Sequence, residues 1–220
     1  MNVPQYIPVV YPSDVKPGTN GQLGPNSLKP TYFPGYGWSS LHPNAKRCWD
    51  AMVVAHQAAN VDKGILTVTP GGAYRNKNIQ VSGFSQRMLP VFDPNTCAVP
   101  EITRDWNSHT YYLRRGMMPV AAPEWYDTAA KKWKGGSNHG CGIALDTAWY
   151  DKATGTMKYI TTNKPGWEWI LANYVSFGFS HEGAKPGQPG YEAHHIRMVT
   201  GDKIPQRVLD IEAYFGGIKG

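Results

Sequence analysis

The chain is short of cysteine, of charge and of long apolar runs, and each shortage excludes something. Three cysteines in 220 residues, Cys48, Cys97 and Cys141, include no C-x-x-C pair, which argues against a disulfide scaffold and against a thiolate zinc site. Buried free thiols are expected, a Cys48–Cys97 bridge being the alternative. No stretch reaches ~18 uninterrupted apolar residues, and the opening "MNVPQYIPVVYPSD" has neither a basic segment nor an apolar one of leader type; a soluble chain without signal peptide or membrane span is expected. Only 17% of residues are charged, and the net charge of +6 is scattered. Its densest points, Arg114–Arg115 and "KKWK" at 131–134, are too short for a nucleic-acid arm, so no nucleic-acid partner is expected. There are no internal repeats.

What is present suits a folded protein with large anchors: 41% hydrophobic and 12% aromatic residues in a length that supports one sizeable core. Residues 1–41 hold seven prolines between positions 4 and 34, without helical or alternating period, and read as an extended arm. Its tyrosines and tryptophan predict that it lies along a surface, its own or a partner's. The domain proper is expected over 42–220. "HPNAKRCWDAMVVAHQAAN" predicts a helix with Ala45, Cys48, Met52, Ala55 and Ala59 on one stripe and His56 on its flank. "KGILTVT" reads as a strand broken by Pro70, Gly71 and Gly72. From Asn76 to Gly136 the pattern is poor and reads as loops, with an insertion around 83–136, a hairpin near Thr110–Leu113 and a short helix over 124–133. "GIALDTAWYD" and "TMKYITT" predict an antiparallel hairpin, "KPGWEWILANYVSFGF" a helix, "EAHHIRMVTGD" a strand and "IPQRVLDIEAYF" a closing helix. The expected class is α+β, a small antiparallel sheet flanked by helices with an extended N-terminal arm.

Chemistry is sought among seven histidines. His139 and Asp146 frame one strand, and "GYEAHHIR" adds Glu192, His194 and His195. A hydrolytic zinc site needs three nitrogen or oxygen ligands, an open position and a separate carboxylate for proton transfer, and these residues supply that set. His42, His109 and His181 read as ordinary loop histidines, and Cys141 as a packed thiol.

The segment "SNHGCGIALD" fits S-x-H-x-x-G-x-A-x-D at Ser137, His139, Gly142, Ala144 and Asp146. In this it resembles the zinc D-alanyl-D-alanine carboxypeptidases and the related phage L-alanyl-D-glutamate endopeptidases, whose fold is hedgehog-like. With each fixed residue at roughly 1/20, a chance match in such a chain is on the order of one in ten thousand. "GAYRNKNIQ" matches the family's early tyrosine-arginine pair and glutamine with Tyr74, Arg75 and Gln80, and "EAHHIR" matches its E-x-x-H motif with Glu192, His195 and Arg197. The resemblance covers about 42–215. It implies Zn2+ held by His139, Asp146 and His195, Glu192 as general base, and Arg75 steadying the oxyanion and substrate carboxylate. Ser137, Tyr74, Gln80 and His194 would line the substrate site. Bacterial peptidoglycan would be the substrate, cut as carboxypeptidase or endopeptidase.

Two departures stand out. His194 occupies the place of a family tryptophan, and "EWYDTAAKKWKG" lengthens the approach to Ser137. Adjacent strand residues point apart, so register assigns the metal to His195 and not His194. His139 and Asp146 differ by seven, so His139 must turn back from a glycine-flanked loop; Glu192 and His195 differ by three, so a bend near Gly190 is expected. The phage likeness and the aromatic arm suggest a lysis enzyme or a virion (tail) component acting at the wall from the host cytoplasm or the virion, the arm docking other phage proteins. The alternative is a catalytically silent wall-binding virion protein that keeps the peptidase fold; it calls for a lost ligand or base.

Overall fold

Backbone and side-chain geometry come from a computed structural model that describes residues 4–59, 64–160, 165–182 and 192–218. In chain order, a hairpin of β1 (Lys29–Phe33) and β2 (Gly37–Leu41) precedes α1 (Pro43–Ala59) and β3 (Gly64–Val68). Helix α1 begins where Pro43 takes a position that needs no N–H donor, while the His42 ring Nδ1 accepts from the Asn44 amide (3.2 Å). The expected stripe is buried at Ala45, Cys48 and Met52, and Trp49 and His56 join it. His56, expected on the flank, instead packs edge-on against Trp169 at 4.9 Å.

The insertion is more regular than its sequence. Helix α2 (Lys77–Arg87) is capped by the Asn76 side chain, which accepts from the Ile79 amide at 3.0 Å. After it come β4 (Met88–Leu89), β5 (Thr103–Trp106) and β6 (His109–Leu113), joined as a three-stranded sheet in the order β4-β6-β5. The hairpin expected near Thr110 is the β5–β6 pair. Residues 124–133 are not the expected helix: β7 (Trp125–Asp127) and β8 (Lys132–Lys134) form a second hairpin. Alternation decides it, because Trp125 and Asp127 turn inward and Tyr126 outward. Asp127 pins the turn through the Ala130 amide (2.9 Å) and the Lys134 ammonium (2.5 Å).

The rest forms the main sheet with β9 (Ala144–Asp151), β10 (Thr156–Tyr159), α3 (Pro165–Asn173), β11 (Phe179–His181), β12 (His195–Met198) and α4 (Gln206–Ile218). Strand β9 is its axis: its first half pairs with β12, and its second half with β10 and β3, all antiparallel. The helix expected across 164–179 stops at Asn173, followed by a 3-10 turn at Tyr174–Phe177 and Gly178 at φ 82°, a left-handed conformation that suits glycine and lets the chain re-enter as β11. Thr161 and Thr162 of an expected strand lie outside the described residues.

Helix α1, the 3-10 turn at Tyr174–Phe177 and α4 cover the sheet, and Met52, Leu66, Leu145, Tyr174, Phe179 and Ile196 are fully buried between them. The arm packs on its own chain and is not extended throughout, because its last part folds back as the β1–β2 hairpin. Val10 bridges Thr200, the Gln5 amide donates to Tyr174 Oη (2.6 Å), the Ile7 amide donates to Ser180 Oγ (2.8 Å), and Phe33 and Leu41 enter the main core. All three cysteines are free and buried. Among the described residues no helix is long and apolar enough to cross a membrane.

Candidate metal centre

Strand register sets the first two donors side by side. His195 stands opposite Asp146 in the β12–β9 pair, so both side chains leave the same face. The Asp146 backbone is fixed on its other edge as well, donating to the Gly72 carbonyl and accepting from the Thr69 amide, each at 2.8 Å. His139 arrives from a 3-10 turn at Asn138–Cys141, capped by Ser137 Oγ on the His139 amide (3.3 Å). Gly142 ends that turn at φ 67°, and a Cβ there would stand 2.8 Å from the His42 amide nitrogen, so glycine is required both by conformation and by space. This is the turn-back that the seven-residue spacing demanded.

His139 Nε2 lies 3.3 Å from His195 Nδ1 and 3.3 Å from Asp146 Oδ1, and His195 Nδ1 lies 2.9 Å from Asp146 Oδ1. A tetrahedral zinc with bonds of about 2.0–2.1 Å sets its ligand atoms about 3.3 Å apart, so these donors fit zinc in kind and in spacing. The remaining ring nitrogens are engaged: His139 Nδ1–H donates to the Ala73 carbonyl and His195 Nε2–H to Glu182 Oε2, both at 2.9 Å. Those bonds leave His139 Nε2 and His195 Nδ1 as the nitrogens that face the shared point, where a bound metal would take the place of the His195 Nδ1 proton. All three residues are less than 10% exposed.

Charge follows from the packing. Burial pushes His139 below its usual range, against the pull of Asp146. Burial alone would raise Asp146, but His139 and His195 together hold it well below the usual carboxylate range. His195 is raised to about 9: burial opposes its charge, and Asp146 and Glu182 overcome that. Burial would also raise Glu182, yet its bond to His195 takes it down to about 2. The Cys141 thiol is pushed up to about 11 by burial, stays protonated, and accepts a hydrogen bond from Asn20 Nδ2 at 3.0 Å.

The other expected residues divide. Arg75 Nη2 donates to Asp146 Oδ2 and Arg75 Nε to the Gly71 carbonyl (2.7 Å), so the guanidinium orients the aspartate while still lining the cavity. Glu192 lies within 4.8 Å of Asp146 in a second possible donor group with His194. The bend that brings Glu192 and His195 together is a turn closed by the His195 amide on the Glu192 carbonyl (3.1 Å); Gly190 lies outside the described residues. His194 has its carbonyl held by the Thr147 amide and hydroxyl and its ring 6.4 Å from Tyr159. Gln80 Nε2 donates to the Arg75 carbonyl (3.0 Å), which places it beneath Arg75. Tyr74 turns to the arm, bonded to the Leu23 backbone, and does not line the cavity.

Glu182 escaped the sequence reading. It follows β11, in a stretch that reads as a loop after a helix, and no spacing links it to the motifs. It accepts from His195 and, through Oε1, from Asn138 Nδ2 (2.9 Å), whose own Oδ1 accepts from Tyr11 Oη of the arm (3.0 Å). His181, expected in a loop, is buried in β11, its Nε2–H donating to the Ala193 carbonyl (3.0 Å). His42, also expected in a loop, is buried and pairs with Asp14 at 2.9 Å. The arm further braces the His139 turn, since Asn20 Nδ2 donates to the Ser137 carbonyl (2.7 Å) and the Gly21 amide to the Gly140 carbonyl (2.8 Å).

The donors open into a cavity of about 380 Å³ whose lining includes Ser137, His139, Glu182, Glu192 and His195 together with Arg87, Arg104 and 119–121. No protein-family model matches the chain and no curated protein matches it. Solved structures of similar outline include VanYB in complex with D-alanine-D-alanine, 14% identical over 99% of this chain and 92% of that one, TM-score 0.47. Another is a vancomycin resistance D,D-pentapeptidase VanY mutant from a VanB-type cassette in complex with Zn(II), 17% identical over 90% and 86%, TM-score 0.46. At these scores the likeness is one of outline, and the site stands on its own distances.

Proposed function

We propose that the protein is a zinc peptidase that hydrolyses peptide bonds in the stem peptides of bacterial peptidoglycan. The convergence of His139 Nε2, Asp146 Oδ1 and His195 Nδ1 beside a cavity that Glu192 also lines is the observation that carries this reading. Zinc held by these three supplies Lewis acidity and makes water a nucleophile near neutral pH. Glu192 takes the proton of the attacking water and returns it to the leaving nitrogen, a role that needs a carboxylate beside the donors but outside them. Arg75 fixes Asp146 and offers the cavity a planar cation for the carbonyl oxygen as negative charge grows there. Glu182 and the Ala73 carbonyl hold the two imidazoles in their tautomers. The silent-scaffold alternative calls for a missing ligand or base, and all four positions, His139, Asp146, His195 and Glu192, are occupied.

Digestion of purified peptidoglycan by the zinc-loaded protein, with the fragments weighed, tests the proposal. Free D-alanine identifies a carboxypeptidase and separated stems an endopeptidase. Glu192→Gln is expected to retain one zinc per chain and to lose turnover by at least about a hundredfold. Full activity in that variant removes Glu192 from its role. A phage setting, as lysis enzyme or virion part, is supported by the motif likeness; the arm supports it less, because much of the arm is engaged by its own domain.

A further inference from the structure

The lobe between α2 and β8 contributes two cations to the cavity that the motifs do not mention. Arg87 comes from the last turn of α2 and Arg104 from β5, and both line the cavity together with Val120 and Ala121. Both are half-buried, and among the described residues no carboxylate lies within ion-pair distance of either. Arg104 Nη1 donates to the neighbouring Thr103 carbonyl (2.7 Å), which orients the guanidinium without neutralising it. Arg75, the third arginine of the cavity, is already paired with Asp146. Two half-buried guanidinium groups that line one cavity without a carboxylate partner lose part of their hydration, a cost that an entering anion offsets. Their elements are locked together by Phe84, whose ring meets Trp106 at 5.3 Å and Tyr111 at 5.0 Å, so the arginines are pre-placed.

We infer that Arg87 and Arg104 form a subsite that grips a carboxylate of the peptide substrate, the planar guanidinium matching a carboxylate in two-pronged contact. This rests on the peptidase reading. The carboxylate has two chemical sources, the free C-terminus of a peptide cut near its end, or an acidic residue within the stem.

The test uses the zinc-loaded protein and three versions of a stem pentapeptide ending in D-alanyl-D-alanine: the free acid, its C-terminal amide, and the form amidated at the glutamate carboxyl. Dissociation constants are read by calorimetry in a Glu192→Gln background, alone and with Arg87→Gln, Arg104→Gln or Arg104→Lys. The glutamine changes are expected to weaken free-acid binding about tenfold to a hundredfold, to leave one of the two amidated peptides unaffected, and to be partly rescued by lysine. Indifference of the C-terminal amide assigns the subsite to the terminus, and indifference of the glutamate amide assigns it to the side chain. Equal weakening of all three peptides, or no binding of any, overturns the subsite. If the otherwise unaltered protein binds with the expected discrimination yet cleaves none, the peptidase reading fails and the subsite stands.

Discussion

The metal face of the main sheet and the 77–134 lobe meet across one cavity, and they are built differently. On the sheet side, Asp146 and His195 are fixed by strand pairing and His139 by a 3-10 turn in which its carbonyl accepts from the Arg75 amide (3.2 Å), all backed by a core that runs from Phe33 to Val208. In the lobe, a cluster of four buried residues, Phe84, Met88, Leu113 and Ala122, holds a two-residue strand, a hairpin and a helix with two buried side chains. Ligand spacing must be held to tenths of an ångström, and only the densely packed region does that; the lobe is free to vary what the cavity reads.

Asp146→Ala strikes the sheet side hardest. Zinc affinity is expected to fall more than about a hundredfold in chelator competition, with the lobe's near-ultraviolet aromatic signal intact. Retained stoichiometric zinc would dissolve the distinction. Glu182→Gln keeps the shape and loosens His195, so zinc affinity is expected to drop about tenfold to a hundredfold, and Glu182→Asp to recover part of it. If Glu182→Gln binds zinc as tightly as the unaltered protein, the carboxylate is packing and nothing more.

His181 gives the sheet side a pH dependence. Burial holds its folded pKa at about 4, below the ordinary 6.5, so its contribution is present above 6.5 and lost as pH falls toward 4. Between pH 7 and 5 the loss is about 2 kcal/mol, read as a falling melting temperature that His181→Asn flattens. An unchanged slope in the variant assigns the acid sensitivity elsewhere. The smallest effect is expected in the lobe: Phe84→Leu costs about 1 kcal/mol and weakens peptide binding while zinc affinity stays constant. A parallel loss of zinc would show the two regions to be one.

Legibility in the sequence follows the same divide. Helices with proline starts, α1 and α4, and the strands β9, β10 and β12 between turn signals are readable, as is the spacing that joins His139 to Asp146. Helix α2 was missed because it buries little beyond Gln80 and Phe84, too thin a stripe to show a period, although Asn76 was a legible cap. The β7–β8 hairpin reads as a helix because alanines and lysines dominate its turn, while its inward pair is only Trp125 and Asp127. Strand β11 is hidden behind an apolar run that continues from α3, and the left-handed Gly178 is the sole punctuation. Glu182, Arg87 and Arg104 reach the cavity through tertiary packing, which leaves no spacing to find. Tyr74 shows the converse: a motif residue in register whose side chain serves the arm.

One zinc ion is expected to meet His139, Asp146 and His195 together. X-ray absorption at the zinc edge of the stoichiometrically loaded protein reads that shell directly. Expected are one zinc per chain, nitrogen and oxygen neighbours at about 2.0–2.1 Å, and the outer-shell scattering of two imidazoles. A sulfur neighbour at about 2.3 Å, fewer than two imidazoles, or no tight zinc at all would contradict it.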